Sequence, residues 1–167
     1  MSASNRSDQL GAGGSSASLE QLLALTRGAW RPTVLIIEDH EEMADCLCRM
    51  LAHMRIQAMV SRDGETGLKM ASVMRFDCVV LDILLPGKNG FEVFRELRSL
   101  PLMREVPIMF VSCLTDKVSL ATSRQLGAAH YLCKPFELAE FQSHMERILG
   151  AELERQSRAQ EGRFPSG

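Results

Sequence analysis

From Thr33 to Leu149 the chain alternates between two apolar patterns. Short continuous runs rich in β-branched residues read as strands: "TVLIIED" at 33–39, "IQAMV" at 56–60, "DCVVLD" at 77–82, "VPIMFVS" at 106–112 and "AHYLC" at 129–133. The first and third are apolar enough to suit strands buried on both faces. Between the strands lie helical periods. Residues 41–54 place Met43, Leu47, Met50, Leu51 and Met54 at helical spacing, and 136–149 do the same with Leu138, Phe141, Met145, Ile148 and Leu149. Segments 64–74, 90–100 and 116–126 complete the set, the first weakened by Gly67 and the last stopped by Gly127. Pro107 is tolerable only near the start of its strand.

Five strand–helix units in about 120 residues predict an α/β domain with a parallel sheet and helices on both faces. Right-handed crossovers leave few topologies. The best match is a flavodoxin-like, doubly wound five-stranded sheet of order 2-1-3-4-5.

The flanks differ in character. Residues 1–30 read as a flexible arm: 1–17 are rich in Ser, Gly and Ala. Ser18 and Gln21 have capping-box spacing, ahead of a short helix from Leu19 to about Thr26. That helix either lies on its own domain or docks a partner. The domain itself is expected over 31–150. Residues 151–167 are polar, and Glu154 and Arg158 can pair one turn apart, so the last helix is expected to extend to about Gln160. Seventeen residues are too few for a DNA-binding domain.

Composition narrows the class. Apolar residues make up 46% and charged residues 24% of 167, the balance of a globular protein. A formal net charge of −2 gives no basic field for nucleic acid. No apolar run reaches the roughly 18 residues of a membrane span, and no secretory leader pattern opens the chain, so a cytoplasmic location is expected. The five cysteines, Cys46, Cys48, Cys78, Cys113 and Cys133, show no C-x-x-C pair. They read as reduced thiols filling space.

Polar residues at the strand ends carry the chemistry. Glu38 and Asp39 end the first strand, Asp82 the third and Ser112 the fourth, while Lys134 follows the fifth and precedes Pro135. In a parallel sheet these ends share one edge, where this architecture binds ligands. Strand order makes Asp39 and Asp82 neighbours and sets Ser112 and Lys134 on the other side of Asp82. Clustered carboxylates repel one another, and a hard divalent cation such as Mg²⁺ resolves the repulsion. A lysine and a hydroxyl suit phosphate oxygens, and a carboxylate can serve as nucleophile to give an aspartyl phosphate. Each residue alone has a plainer use, as a cap, a turn or loop punctuation; their convergence on one edge is the signal.

These residues, with "VLIIEDHEEM", "VVLDILLPGKNGFEVFRELR", "VPIMFVSC" and "GAAHYLCKPF", resemble the response regulator receiver domain of two-component signalling over about residues 32–150. The intervals from Asp39 to Asp82, Ser112 and Lys134, of 43, 30 and 22 residues in turn, match the family. The resemblance implies that Asp82 accepts the phosphoryl group. Asp39 would bind Mg²⁺ directly, Glu38 largely through water, and the backbone carbonyl of Leu84 would be a further ligand. Lys134 and Ser112 would hold the phosphoryl group, and Tyr131 would be the aromatic switch. Pro135 is the candidate for a cis peptide.

A histidine kinase or histidine phosphotransfer protein would be the donor, and an unknown protein the target, with no direct DNA binding. A monomer and a homodimer through the face of Leu120, Tyr131 and the Phe141 helix both stay open. Alternative uses of the same fold are a phosphorylation-independent interaction module and a phosphate relay or sink. Catalysis on an external substrate is not expected. Asn89 stands where the family often has an acid, a loop position of small consequence, and Cys113 stands where a smaller residue is frequent.

Overall fold

The computed structural model describes residues 31–161. The expected helix at Leu19–Thr26 and its capping box lie outside them. Five strands and five helices alternate: β1 Thr33–Ile37, α1 Glu41–His53, β2 Gln57–Ser61, α2 Gly64–Val73, β3 Cys78–Leu81, α3 Gly90–Ser99, β4 Ile108–Ser112, α4 Lys117–Leu126, β5 His130–Cys133 and α5 Leu138–Glu161. A 3₁₀ turn, Pro101–Met103, precedes β4. All strand pairs are parallel and the sheet order is 2-1-3-4-5.

Alternation along each strand divides the core between the two sheet faces. Val34, Ile36, Val80, Met109, Val111 and Leu132 face α1 and α5, where Leu47, Leu51, Phe141, Met145, Ile148 and Leu149 meet them. Leu35, Ile37, Val79, Leu81, Ile108 and Phe110 face the other way, against Ala71 of α2 and Val93, Phe94 and Leu97 of α3. Leu138, expected on the apolar side of the last helix, is instead exposed, because it is the first residue of α5 and lies beyond the sheet.

Two strand starts differ from expectation for local reasons. β2 starts at Gln57, because the Ile56 N–H turns back to the Leu51 carbonyl at 2.9 Å and closes α1. β4 starts at Ile108, after Pro107; the Val106 carbonyl before it accepts from Arg98 Nη1 at 2.6 Å. α2 tolerates Gly67 because packing requires it: a Cβ there would stand 2.5 Å from Ile37 Cδ1 on β1.

Candidate functional site

The acids, Ser112 and Lys134 lie at or just past the carboxyl ends of strands, while Tyr131 lies within β5. β1 ends at Ile37, and the Glu38 N–H still bonds the Ser61 carbonyl of β2 at 3.0 Å, so Glu38 is fixed by the sheet. The Asp82 N–H likewise donates to the Ile37 carbonyl at 3.0 Å, seating Asp82 beside Glu38. The Lys134 N–H donates to the Ser112 carbonyl at 2.9 Å, extending β5 by one residue along β4. The next peptide, Lys134–Pro135, is cis.

Glu38, Asp39 and Asp82 each offer a carboxylate oxygen within 4.8 Å of the others. Glu38 and Asp82 are buried and Asp39 is exposed. Lys134 does not merely flank Asp82: its Nζ spans both buried acids, 2.6 Å from Glu38 Oε2 and 2.6 Å from Asp82 Oδ2. The second oxygen of each acid takes a backbone donor. Glu38 Oε1 accepts from the His40 N–H at 3.3 Å and Asp82 Oδ1 from the Leu84 N–H at 3.0 Å. Each buried acid is thus paired and hydrogen-bonded, the condition under which burial of charge is tolerable.

The electrostatics follow from burial and crowding. Burial and the nearby Asp82 push Glu38 above the usual carboxylate range, although Lys134 and the His40 amide oppose them. Burial pulls Lys134 down, but its bonds to Asp82 and Glu38 outweigh this and hold its ammonium above the ordinary lysine range. The site therefore carries a firmly held cation among more negative charge than it can neutralise. Three oxygen donors of this kind fit a hard divalent cation with room for further oxygen ligands.

Ser112 and Tyr131 are placed differently. Ser112 is fully buried, and its Oγ accepts from the Leu114 N–H at 3.5 Å. Tyr131 is half-buried and donates its hydroxyl to the Leu114 carbonyl at 2.5 Å. Its phenol is pushed up to about 12, by burial first and then by Cys133 and Asp116, with Ser112 opposing as a hydrogen-bond partner. The loop after β4 thus ties the serine to the tyrosine, while Lys134 ties β5 to Asp82. Leu84 is exposed on the loop after β3. Cys113 is exposed too, so it fills no space in the core: β4 ends at Ser112 and the thiol belongs to the following loop.

Two supports escaped the sequence reading. Asn89 is no loop bystander but the N-cap of α3, accepting from the Glu92 N–H while the Glu92 side chain accepts from the Asn89 N–H. The signal was present as Asn-x-x-Glu before an apolar run. Gly90, next to it, is pressed against the site: a Cβ there would meet the Asp82 carbonyl oxygen at 2.2 Å and Ile83 Cα at 2.6 Å. Elsewhere, a cavity of about 310 Å³ lies among Arg75, Phe76, Asp77, Pro101 and Arg104. Those residues precede β3 and β4, on the edge opposite the carboxylates, and none of them belongs to the site.

Comparison with known proteins places this geometry. The family model described as "Response regulator receiver domain" matches residues 34–146. The response regulator ArlR of Staphylococcus haemolyticus is 30% identical over 116 residues, 70% of this chain and 52% of that protein. The transcriptional regulatory protein CrdR of Helicobacter pylori is 27% identical over 115 residues, 69% of this chain and 54% of that protein. The chain thus spans about half the length of these relatives. Among solved structures, the receiver domain of the sensor histidine kinase PA1611 from Pseudomonas aeruginosa PAO1, with a magnesium ion in its active-site cleft, superposes with a TM-score of 0.67. It is 27% identical, and the match covers 72% of this chain and 99% of that one. The order of the strands, the acids at their ends and the lysine that spans them have one common explanation: the chain belongs to the response regulator receiver domain family.

Proposed function

We propose that this chain is a phosphorylation-operated switch in which Asp82 is the acceptor. The observation that carries this reading is the Lys134 ammonium at 2.6 Å from both Asp82 and Glu38. If Asp82 is the nucleophile, the charge that would stabilise its product already lies beside it. A phosphohistidine on a histidine kinase or phosphotransfer protein supplies the phosphoryl group. An Asp82 oxygen attacks phosphorus, the phosphorus–nitrogen bond breaks with its electron pair leaving on the donor imidazole, and an acyl phosphate forms. Positioning and charge neutralisation carry such a transfer.

Glu38, Asp39, Asp82 and the backbone carbonyl of Leu84 would hold Mg²⁺, which supplies a compact positive charge for the phosphoryl oxygens when bound. The protein's own residues do the rest. Lys134 follows the new negative charge from Asp82 Oδ2 onto the phosphoryl group and draws on β5. Ser112 turns its hydroxyl to the same group, which frees the loop to which Tyr131 is tied. The surface of α4, β5 and α5 then changes, and a protein target reads the change. This role involves no chemistry on an external substrate and no direct contact with DNA, and it suits a cytoplasmic protein. No helix among the described residues is long and apolar enough to cross a membrane.

The test is incubation with a small acyl-phosphate donor and Mg²⁺, followed by intact-mass measurement. Wild type should gain one phosphoryl group and Asp82→Asn none, since an amide cannot form the acyl phosphate. Lys134→Ala should still label, more slowly, and should show little of the wild-type change at Tyr131. An adduct on Asp82→Asn at the wild-type level would overturn the assignment of the acceptor.

A further inference from the structure

Outside the carboxylate cluster, two titratable side chains face one another across two elements. His130 opens β5, the edge strand, and His144 lies on α5; both are half-buried. Their Nδ1 atoms are 2.9 Å apart, and the rings meet at 67° with centroids 4.7 Å apart. Two imidazole nitrogens at that distance form a hydrogen bond only if one carries a proton and the other a lone pair. In the neutral pair the rings are therefore opposite tautomers.

Adding protons to this arrangement has a definite order. A first proton goes to the free Nε2 of the donating ring. Its Nδ1–H still points at the partner's lone pair, and the bond becomes charge-assisted. A second proton has only the accepting Nδ1 left. Two N–H bonds would then face each other between two cations, and the contact must part.

The surroundings oppose charge on the pair. Burial holds His130 below the ordinary histidine range, followed by His144 and Arg147. Burial and Arg147 do the same to His144, and Glu140 opposes them. Arg147 and Glu140 are both on α5, about one turn to either side of His144. From β4 the register partner of His130 is Met109, and the turn before β5 brings Ala128 and Ala129, none of them charged.

We propose that His130 and His144 form a proton-operated clasp between α5 and the sheet edge, closed with no proton or one added to the pair and open with two. The inference stands apart from the phosphoryl chemistry at Asp82. Opening does not unseat the helix, because Phe141, Met145, Ile148 and Leu149 remain buried beneath it. What parts is a pin between α5 and the strand that bears Tyr131 and leads into Lys134. Since the folded protein favours the uncharged rings, the clasp contributes fully above the ordinary histidine value. Its contribution is lost below that value, in the second protonation step, when the two charged rings part.

The experiment is an imidazole NMR titration of the full chain from about pH 8 to about pH 5, with hydrogen exchange of α5 amides read against α1 amides in the same sample. The clasp predicts two coupled steps in which both rings respond to each step. In the second step the protection of α5 around His144 falls about tenfold relative to α1, the equivalent of roughly one unit of coupling. In His144→Phe, with an apolar ring in place of the partner, His130 should titrate in one step and α5 protection should no longer follow pH. Independent single-step titrations in the wild type, or α5 protection that is flat over the range, would overturn the proposal without need of the variant.

Discussion

Asp82 owes its position to backbone as much as to charge. Its N–H is held by β1, its carbonyl lies under Gly90, and its two carboxylate oxygens go to Leu84 and Lys134. The contact with Gly90 is the one that permits no adjustment, because the atoms in the way are main chain. Gly90→Ala should therefore push the Asp82–Ile83 backbone outward, at a cost of about 1–3 kcal/mol by the usual penalty for overpacking. It should also slow phosphoryl uptake even though every charged group is intact. Thermal melting and the uptake assay check the two parts; a variant with wild-type uptake would mean that Asp82 is placed without help from this contact. The residue scale also shows what a sequence reveals. The acids, Ser112 and Lys134 were legible because apolar strands end on them and the fold gathers strand ends. Gly90 was not, since a close approach of two backbones leaves no periodicity, and Lys134 spanning Glu38 as well as Asp82 depends on a reach that spacing does not encode.

At the scale of elements, α4 stands apart from α1, α3 and α5. α1, α3 and α5 bury leucine, phenylalanine and methionine, whereas the buried residues of α4 are Ser119 and Ser123. Those serines satisfy themselves locally: Ser119 donates to its own N-cap, Asp116, and Ser123 to the Leu120 carbonyl. Val118 stands 75% exposed near its start. A helix that removes so little apolar surface from water contributes little to its own docking. It should open at lower free energy than its neighbours. Hydrogen exchange near neutral pH should find α4 amides exchanging at least tenfold faster than those of α1. Equal protection would argue against α4 as the element that moves when Asp82 is modified. The strands and helices were legible from period and turn residues, and their ends less so. Ile56 is apolar and buried, yet it closes a helix rather than opening a strand, and only its hydrogen bond to Leu51 decides between the two. Asn89 was readable as a cap from Glu92 three residues on; its value lies in starting α3 directly behind the site.

For the whole molecule, the strand order and the division of the core between two sheet faces followed from the alternation of patterns, because crossover rules leave so few ways to wind it. The balance of charge at the sheet edge is a global property that the list of residues does not give. Two buried acids share Lys134, a third, exposed acid stands beside them, and the fold bears the excess. Removing the lysine from a buried pair leaves uncompensated charge, for which about 3 kcal/mol is a usual cost. Glu38, already pushed upward, can relieve part of it by taking a proton. Lys134→Met should thus lower the melting temperature in chelator by roughly 10 °C at a few degrees per kcal/mol. The same change takes away the cation that a metal must approach, so Mg²⁺ should bind the variant more tightly and raise its melting temperature by more than it raises the wild type's. A site filled to a hundred times its Kd stabilises the fold by about 2.7 kcal/mol, enough to see in a melt. Asp39→Asn should do the reverse: it removes an exposed carboxylate oxygen and spares the buried pairs, so it should leave the metal-free melt nearly unchanged and shrink the Mg²⁺ shift. Six melting curves decide it, three proteins each with chelator and with millimolar Mg²⁺. If Lys134→Met gains no more from Mg²⁺ than wild type does, lysine and metal do not share one acidic site. If Asp39→Asn gains as much as wild type, the exposed acid is not a ligand.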